Sequence, residues 1–229
     1  MNKIFRKLKK IIRSILNGEA SYSQYDQDLI CLNRYFSNIS EGTFVEVGAD
    51  DGIDKSNSYF YELRGWNGLC VEPSPNRFKL LRKNRDCICE NYAIAEYEKV
   101  VEFMDISGYG KGLSGIVDEY DERHRERIEN ELKHPFNEGR EIVRVKTAPL
   151  SKLLEKHRMS HINFCTIDVE GSELSVLKSI NFQDYLFDVI LVENNYNDDS
   201  VESFMRKNGF QKKESISYDD VYVRKGFKK

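Results

Sequence analysis

Histidine is scarce in this chain. Four occur among 229 residues, with no HxxxH spacing and no Cys/His cluster, which excludes zinc sites of the common kinds. The five cysteines (Cys31, Cys70, Cys87, Cys89, Cys165) form no CxxC pair, and four lie in apolar runs. They read as buried, reduced thiols of a cytoplasmic protein rather than as a disulfide framework. No apolar stretch approaches the roughly 18 residues of a spanning helix. Internal repeats, low-complexity tracts and a second core are not evident either.

What is present fits one α/β domain: 40% of residues are apolar, and 26 are Tyr or Phe. The net charge of −3 conceals an asymmetry. Residues 1–16, "MNKIFRKLKKIIRSIL", carry six basic side chains and no acid, which leaves −9 on the remainder. An acidic body argues against a nucleic-acid partner. In the basic segment Ile4, Phe5, Leu8, Ile11, Ile12, Ile15 and Leu16 share one helical face. An amphipathic helix is expected over 1–20. It is either a peripheral anchor on an anionic inner membrane leaflet or a helix packed on the domain or on the partner subunit of a homo-oligomer.

Residues 21–229 alternate strand and helix signals. The runs "TFVEVG", "GLCVEPS", "CICENYAIA", "INFCTID" and "FDVILVE" read as strands. Between them lie helical stretches such as "NSYFYELRG", closed by Gly65, and "PNRFKLLRKN", opened by Pro75. Residues 95–147 are less regular. They hold strands "VVEFMDI" and "EIVRVKTA", a glycine-rich loop "GYGKGLSG" and the charge-dense helix "DEYDERHRERIENELK", a region suited to cover a substrate. Strands "FQKKESI" and "DVYVRK" close the chain as a hairpin. This order predicts a mostly parallel sheet with helices on both faces.

In such sheets ligands sit beyond the carboxyl ends of the strands. "VEVGADDG" ends the first strand there, with Gly48 and Gly52 in the turn. A dinucleotide turn requires G-x-G-x-x-G and offers its helix N-terminus to a pyrophosphate. Here Asp50 replaces the middle glycine and Asp51 follows it, so a phosphate would be repelled. S-adenosylmethionine carries an ammonium and a sulfonium instead, and carboxylates in the turn suit it. Glu72, ending the second strand, is placed to hold ribose hydroxyls in either case.

The ordered series "SQYDQD", "FVEVGADDG", "SNSYFYELRGWNGLCVEPSPNRFKLL", "NYAIA", "IDVEGSELSVLKSI" and "LVENN" resembles the FkbM-type methyltransferases over residues 22–224. Ser58 departs from the family's usual threonine. The resemblance implies a class I Rossmann-like fold, with a seven-stranded sheet of order 3-2-1-4-5-7-6 whose seventh strand is antiparallel. It also implies S-adenosylmethionine as cofactor and O-methylation in glycan and metabolite tailoring. Carried onto this sequence, Glu46, Gly48 and Ala49 contact the methionine part, with Asp51 close by. Glu72 holds the ribose, Pro73 shapes the adenine side, and Ala93 and Ile94 flank adenine. Ser56 and Asn57 bind the methionine carboxylate or cap a helix. Gln24, Gln27 and Asp28 roof the cleft.

Methyl transfer to an alcohol needs an aligned oxygen and a means of removing its proton, either a base or a divalent metal. Asp168, Glu193 and Asn194 are similar in layout to the Mg²⁺ ligands of catechol-type O-methyltransferases, and such oxygen ligands suit Mg²⁺ or Mn²⁺. Glu170 is the candidate base or additional ligand. The same acids could instead cap helices and bind substrate hydroxyls. His124 could be a base delivered by a lid or one polar residue of a charged helix. The expected acceptor is a sugar or related polyhydroxylated metabolite. The alternatives are an NAD(P)-dependent oxidoreductase, which Asp50 and Asp51 disfavour, and an inactive membrane-peripheral scaffold, against which the four acids Glu46, Glu72, Asp168 and Glu193 stand.

Overall fold

The computed structural model describes residues 20–120, 122–195 and 199–228. Residues 1–19, nearly all of the expected amphipathic helix, lie outside them. Among the described residues no helix is long and apolar enough to cross a membrane.

Seven strands form the main sheet: β1 (Thr43–Val47), β2 (Asn67–Val71), β3 (Ile88–Glu90), β8 (His161–Ile167), β9 (Leu186–Glu193), β10 (Phe210–Ile216) and β11 (Asp219–Arg224). Across the sheet they run β10-β11-β9-β8-β1-β2-β3. Ranked only among themselves, these strands follow 3-2-1-4-5-7-6. β1, β2, β3, β8 and β9 are mutually parallel, and β11 is antiparallel to both its neighbours. β1 and β8 are buried on both faces, as sandwiched parallel strands are, which explains their almost continuous apolar runs.

The expectation of a single sheet is corrected. Four more strands, β4 (Ala93–Ile94), β5 (Val100–Gly108), β6 (Gly115–Ile116) and β7 (Asn137–Ala148), make a separate sheet of order β4-β7-β5-β6. "CICENYAIA" is therefore two strands in two sheets. Asn91 breaks it: its Nδ2 donates to the carbonyls of Glu72 (2.7 Å) and Pro73 (2.9 Å), turning the chain away after β3. The second sheet brings small cores of its own, Phe103 with Ile116 and Val145, and Ile106 with Leu113, Tyr120 and Ile128.

Helices cover both faces of the main sheet. On one side α5 (Leu150–Lys156), α6 (Glu173–Lys178) and α7 (Asp199–Lys207) pack Leu153, Leu177 and Met205 against Val45, Leu69 and Ile190. On the other, α1 (Gln27–Cys31), with the π-turn Leu32–Phe36 that continues it, joins α2 (Tyr59–Leu63) and α3 (Pro75–Asn84). These pack Phe36, Tyr61 and Leu81 against Phe44, Cys70 and Phe164. α3 starts where the sequence asks it to: Pro75 takes the first position, and Ser74 Oγ accepts the Arg77 N–H. The charge-dense run forms α4 (Glu122–Glu131) beside the second sheet.

Candidate active site

The carboxyl ends of β1, β2, β8 and β9 open into one cleft of ≈ 640 Å³, walled on its far side by residues 109–116 of the second sheet and by α4. That volume lies within the range of small-molecule sites. At its centre β1 turns at Gly48 (φ +86°). A side chain there would place its Cβ 1.8 Å from the Asp168 carbonyl oxygen, so only glycine fits. The amides of Gly48 and Ala49 both donate to the Val71 carbonyl (3.0 and 3.1 Å), binding the turn to β2.

The acids of this turn are not free negative charge, which corrects the electrostatic expectation. Asp50 pairs with Lys111 (2.8 Å) and Arg77 (3.4 Å), and Asp54 shares Lys111 (3.1 Å). Asp51 accepts the N–H groups of Ile53 and Asp54 (2.8 and 2.9 Å), holding the loop's own backbone. It does not line the cleft, contrary to its expected place beside the cofactor.

Glu46, expected against the methionine part, lines the cleft. It reaches the cleft floor, but its carboxylate is taken up from beneath by the hydroxyls of Ser56 and Ser58 (2.8 Å each), the Asn57 amide (2.9 Å) and the guanidinium of Arg85 (3.2 Å). Arg85 is fully buried. It also bonds Glu62 (2.6 Å) and the Gly52 carbonyl (3.0 Å) and lies over the rings of Phe44 and Tyr59. The network locks the turn to α2 and α3. Ser56 serves it as a cap, accepting the Tyr59 N–H at 3.0 Å. Asn57 donates to Thr166 Oγ1 (3.0 Å) and does not line the cleft.

At the end of β2 the buried Glu72 accepts the amides of Asp50 (2.9 Å) and Ser74 (2.8 Å). Burial outweighs these donors and the nearby Arg77, and its pKa is pushed up to about 8. Pro73, Ala93 and Ile94 line the cleft around it, and Gln24 lines the cleft as well. Gln27 and Asp28 do not roof it. Both are buried, Gln27 bonding Asp219 (2.5 Å) and Asp28 accepting Ser21 Oγ (2.6 Å) and the Tyr22 amide (2.8 Å).

Beyond the turn, at the ends of β8 and β9, Asp168, Glu170 and Glu193 each offer a carboxylate oxygen within 4.8 Å of the others. Asp168 faces the open cleft but is ringed by protein. That loss of solvent, with repulsion from Glu173, raises its pKa to about 6, opposed by a hydrogen bond shared with Glu193. Glu170 and Glu193 are pushed well above the usual carboxylate range, first by burial and then by the Asp168 charge. Three acids so crowded call for a shared proton or a cation. Arg127 of α4 already reaches Glu170 at 3.2 Å. Asn194 donates its Nδ2 to Asp220 (3.0 Å) and does not line the cleft, whereas Glu170, expected as base or additional ligand, lies in the cluster. His124 is not a delivered base. It is buried, stacks on Tyr120 at 4.6 Å, and lies outside the cleft lining.

Arg85, Arg77, Lys111 and Arg127 are absent from the sequence reading, because a lone cation in a loop or charged helix gives no local sign of the carboxylate it will meet.

A parallel sheet with a glycine turn after β1, a ribose-type acid after β2 and acids after β8 and β9 defines the Rossmann-like class of proteins that handle a nucleoside cofactor. The pattern described as the Methyltransferase FkbM domain matches residues 46–212, and the chain belongs to this family of S-adenosylmethionine-dependent methyltransferases. That sets aside the nicotinamide alternative. No curated protein sequence matches the chain. Among solved structures, a ribosomal protein L11 methylase from Lactobacillus delbrueckii subsp. bulgaricus is similar at 10% identity and TM-score 0.42, over 87% of this chain and 78% of that one. TrmK of M. capricolum with S-adenosyl-homocysteine gives 8%, 0.44, 89% and 68% in the same order. A precorrin-6y C5,15-methyltransferase from Geobacter metallireducens gives 11%, 0.43, 87% and 86%.

Proposed function

We propose that the protein is an O-methyltransferase acting on a hydroxyl of a sugar or related polyhydroxylated metabolite, assisted by Mg²⁺ or Mn²⁺ held by Asp168, Glu170 and Glu193. The observation that carries this reading is the convergence of those three carboxylates at the β8 and β9 ends, with the turn of β1 between them and Glu72. On this reading the strand order separates a nucleoside end from an acidic end.

Bound S-adenosylmethionine supplies a methyl group on a positive sulfur. Glu72, already accepting two amides, has further oxygen lone pairs for ribose hydroxyls. Ala93 and Ile94 give the base an apolar wall. A divalent ion, when held, supplies a Lewis acid that lowers the pKa of a coordinated hydroxyl. Three carboxylates in mutual reach fit a hard cation. Asp168, opening onto the cleft, orients the acceptor oxygen, and Glu170 helps to hold the ion or, where no ion is held, takes the hydroxyl proton as the methyl is transferred. Residues 109–113 and α4 wall the cleft on its far side.

The test is transfer of labelled methyl from S-adenosylmethionine to a panel of hexopyranosides, nucleotide-sugars, oligosaccharides and RNA, followed by locating the label. Label on a sugar oxygen is expected. Label on a nitrogen or on RNA would overturn the acceptor assignment. Exhaustive EDTA treatment is expected to lower turnover by about 10²-fold, the scale of general acid–base and metal assistance, restored by Mg²⁺ or Mn²⁺. Full activity after EDTA would remove the metal. Asp168→Asn is expected to lower kcat while leaving S-adenosyl-homocysteine affinity within about threefold by calorimetry.

A further inference from the structure

Large aromatic side chains that stay exposed mark contact surfaces when they gather at a cleft. Two do so here. Tyr25 is 39% exposed and Tyr218 57% exposed, and both line the active-site cleft. They come from opposite ends of the chain, Tyr25 from the loop before α1 and Tyr218 from the turn between β10 and β11. Their rings meet edge to face, centroids 6.1 Å apart and planes at 64°. Together they form two walls of a corner.

This corner is built from beneath. Gln27 and Asp219, both buried, join the two loops through a 2.5 Å hydrogen bond. Gln27 Oε1 also accepts the Tyr25 amide at 2.7 Å, fixing that residue's backbone. The Tyr218 carbonyl accepts the amide of Asn194 at 2.8 Å, and Asp219 is in register with Glu193. Tyr218 therefore stands one residue from the strand position opposite a member of the acid cluster. Gln24 donates to the Tyr25 hydroxyl at 3.0 Å, so a planar amide flanks the aromatic wall.

We infer that Tyr25 and Tyr218 form the acceptor platform of this enzyme, a corner that seats the C–H face of a pyranose ring and presents one of its hydroxyls to Asp168, Glu170 and Glu193. This rests on the methyl-donor reading above. A pyranose offers an apolar face of axial C–H groups and a rim of hydroxyls. The corner offers aromatic faces beside the amide of Gln24 and the carboxylate of Glu193, which match that division. The two tyrosines lie at the β9 and β11 side of the turn, away from the ribose acid Glu72, where an acceptor must approach if the methyl points toward the acid cluster. They are positioning residues, since the acids touch the reacting oxygen and the tyrosines hold the ring.

The test uses the full chain saturated with S-adenosyl-homocysteine and the methyl α-hexopyranosides of glucose, galactose and mannose as probes, read by saturation-transfer NMR and titration. The wild type is expected to show transfer concentrated on one face of the ring. Tyr218→Ala and Tyr25→Ala are each expected to weaken binding about 3- to 10-fold, the scale of one aromatic contact. Tyr218→Phe is expected to keep it, and S-adenosyl-homocysteine affinity is expected to stay constant in all three. Phe136→Ala, exposed and outside the cleft lining, serves as the control with no effect. Normal S-adenosyl-homocysteine binding with no pyranoside signal, or with a signal that survives both alanine variants, would overturn the platform. So would a single-stranded oligoribonucleotide whose signal depends on the tyrosines while the pyranosides give none. Failure to bind S-adenosyl-homocysteine at all would instead overturn the methyl-donor reading, and the platform with it.

Discussion

Glu72 ties the cleft to pH. In the unfolded chain its carboxyl ionises near its ordinary 4.5, whereas burial in the folded protein moves this to about 8. Between those values the folded state retains a proton that the unfolded state has released. The contribution to stability is therefore full below about pH 4.5 and is lost as pH rises through 8. Glu72→Gln removes the titration. Thermal melts from pH 5 to 9 should show the wild type losing Tm more steeply than the variant, and parallel curves would contradict the raised pKa. Arg85 shows the opposite case, a buried charge that is fully partnered. Arg85→Ala leaves Glu46 and Glu62 without their cation and is expected to cost about 3–5 kcal/mol in urea unfolding. Arg85→Lys should recover little of this, because an ammonium cannot span Glu46, Glu62 and the Gly52 carbonyl together. A loss below about 1 kcal/mol for the alanine variant would mean that the network is decorative.

Among the elements, the strap beside the β1 turn depends on few contacts. Residues 108–115 are fastened by Lys111 to Asp50 and Asp54, and by Arg77 to the Ile106 carbonyl (2.6 Å) and Ser114 Oγ (2.9 Å). Lys111 is over a third exposed, so its pairs contribute little to global stability. Lys111→Ala is expected to shift the urea midpoint by under about 1 kcal/mol equivalent, yet to raise hydrogen exchange of the amides at 109–114. Unchanged exchange there would show that Arg77 alone holds the strap. Elements such as β1, β8 and α3 were legible in the sequence because their signals are local: buried strands are continuously apolar, and Ser74 with Pro75 opens a helix. Where the reading failed, a distant partner decided the outcome. Asn91 bends "CICENYAIA" by bonding carbonyls 18 and 19 residues away, and Gln27 is drawn from the cleft roof by Asp219. The residues of the cleft were legible as a set, but their individual roles depended on such pairings.

At the scale of the whole molecule, two sheets of unequal strength meet at the cleft. The main sheet is buried on both faces by two extended cores. The second sheet has only two small clusters of four buried residues each, and is joined to the main core where Ile94 and Ala148 pack into it. Regions with few buried apolar contacts open at lower free energy than the global unfolding. Native-state hydrogen exchange is therefore expected to separate two units, with β5 and β7 exchanging well before β1, β8 and β9. The weaker unit supplies one wall of the cleft, through Phe103, residues 109–116 and Arg127. A ligand bound between the two sheets should then stabilise the second sheet most, because the free energy of binding must be lost whenever that wall opens. Saturating S-adenosyl-homocysteine is expected to slow exchange in β5 and residues 109–116 while changing β10 and β11 little. Equal slowing throughout would show that the two sheets open as one unit. No slowing in the second sheet would place the cofactor away from its wall and remove that sheet's part in closing the site.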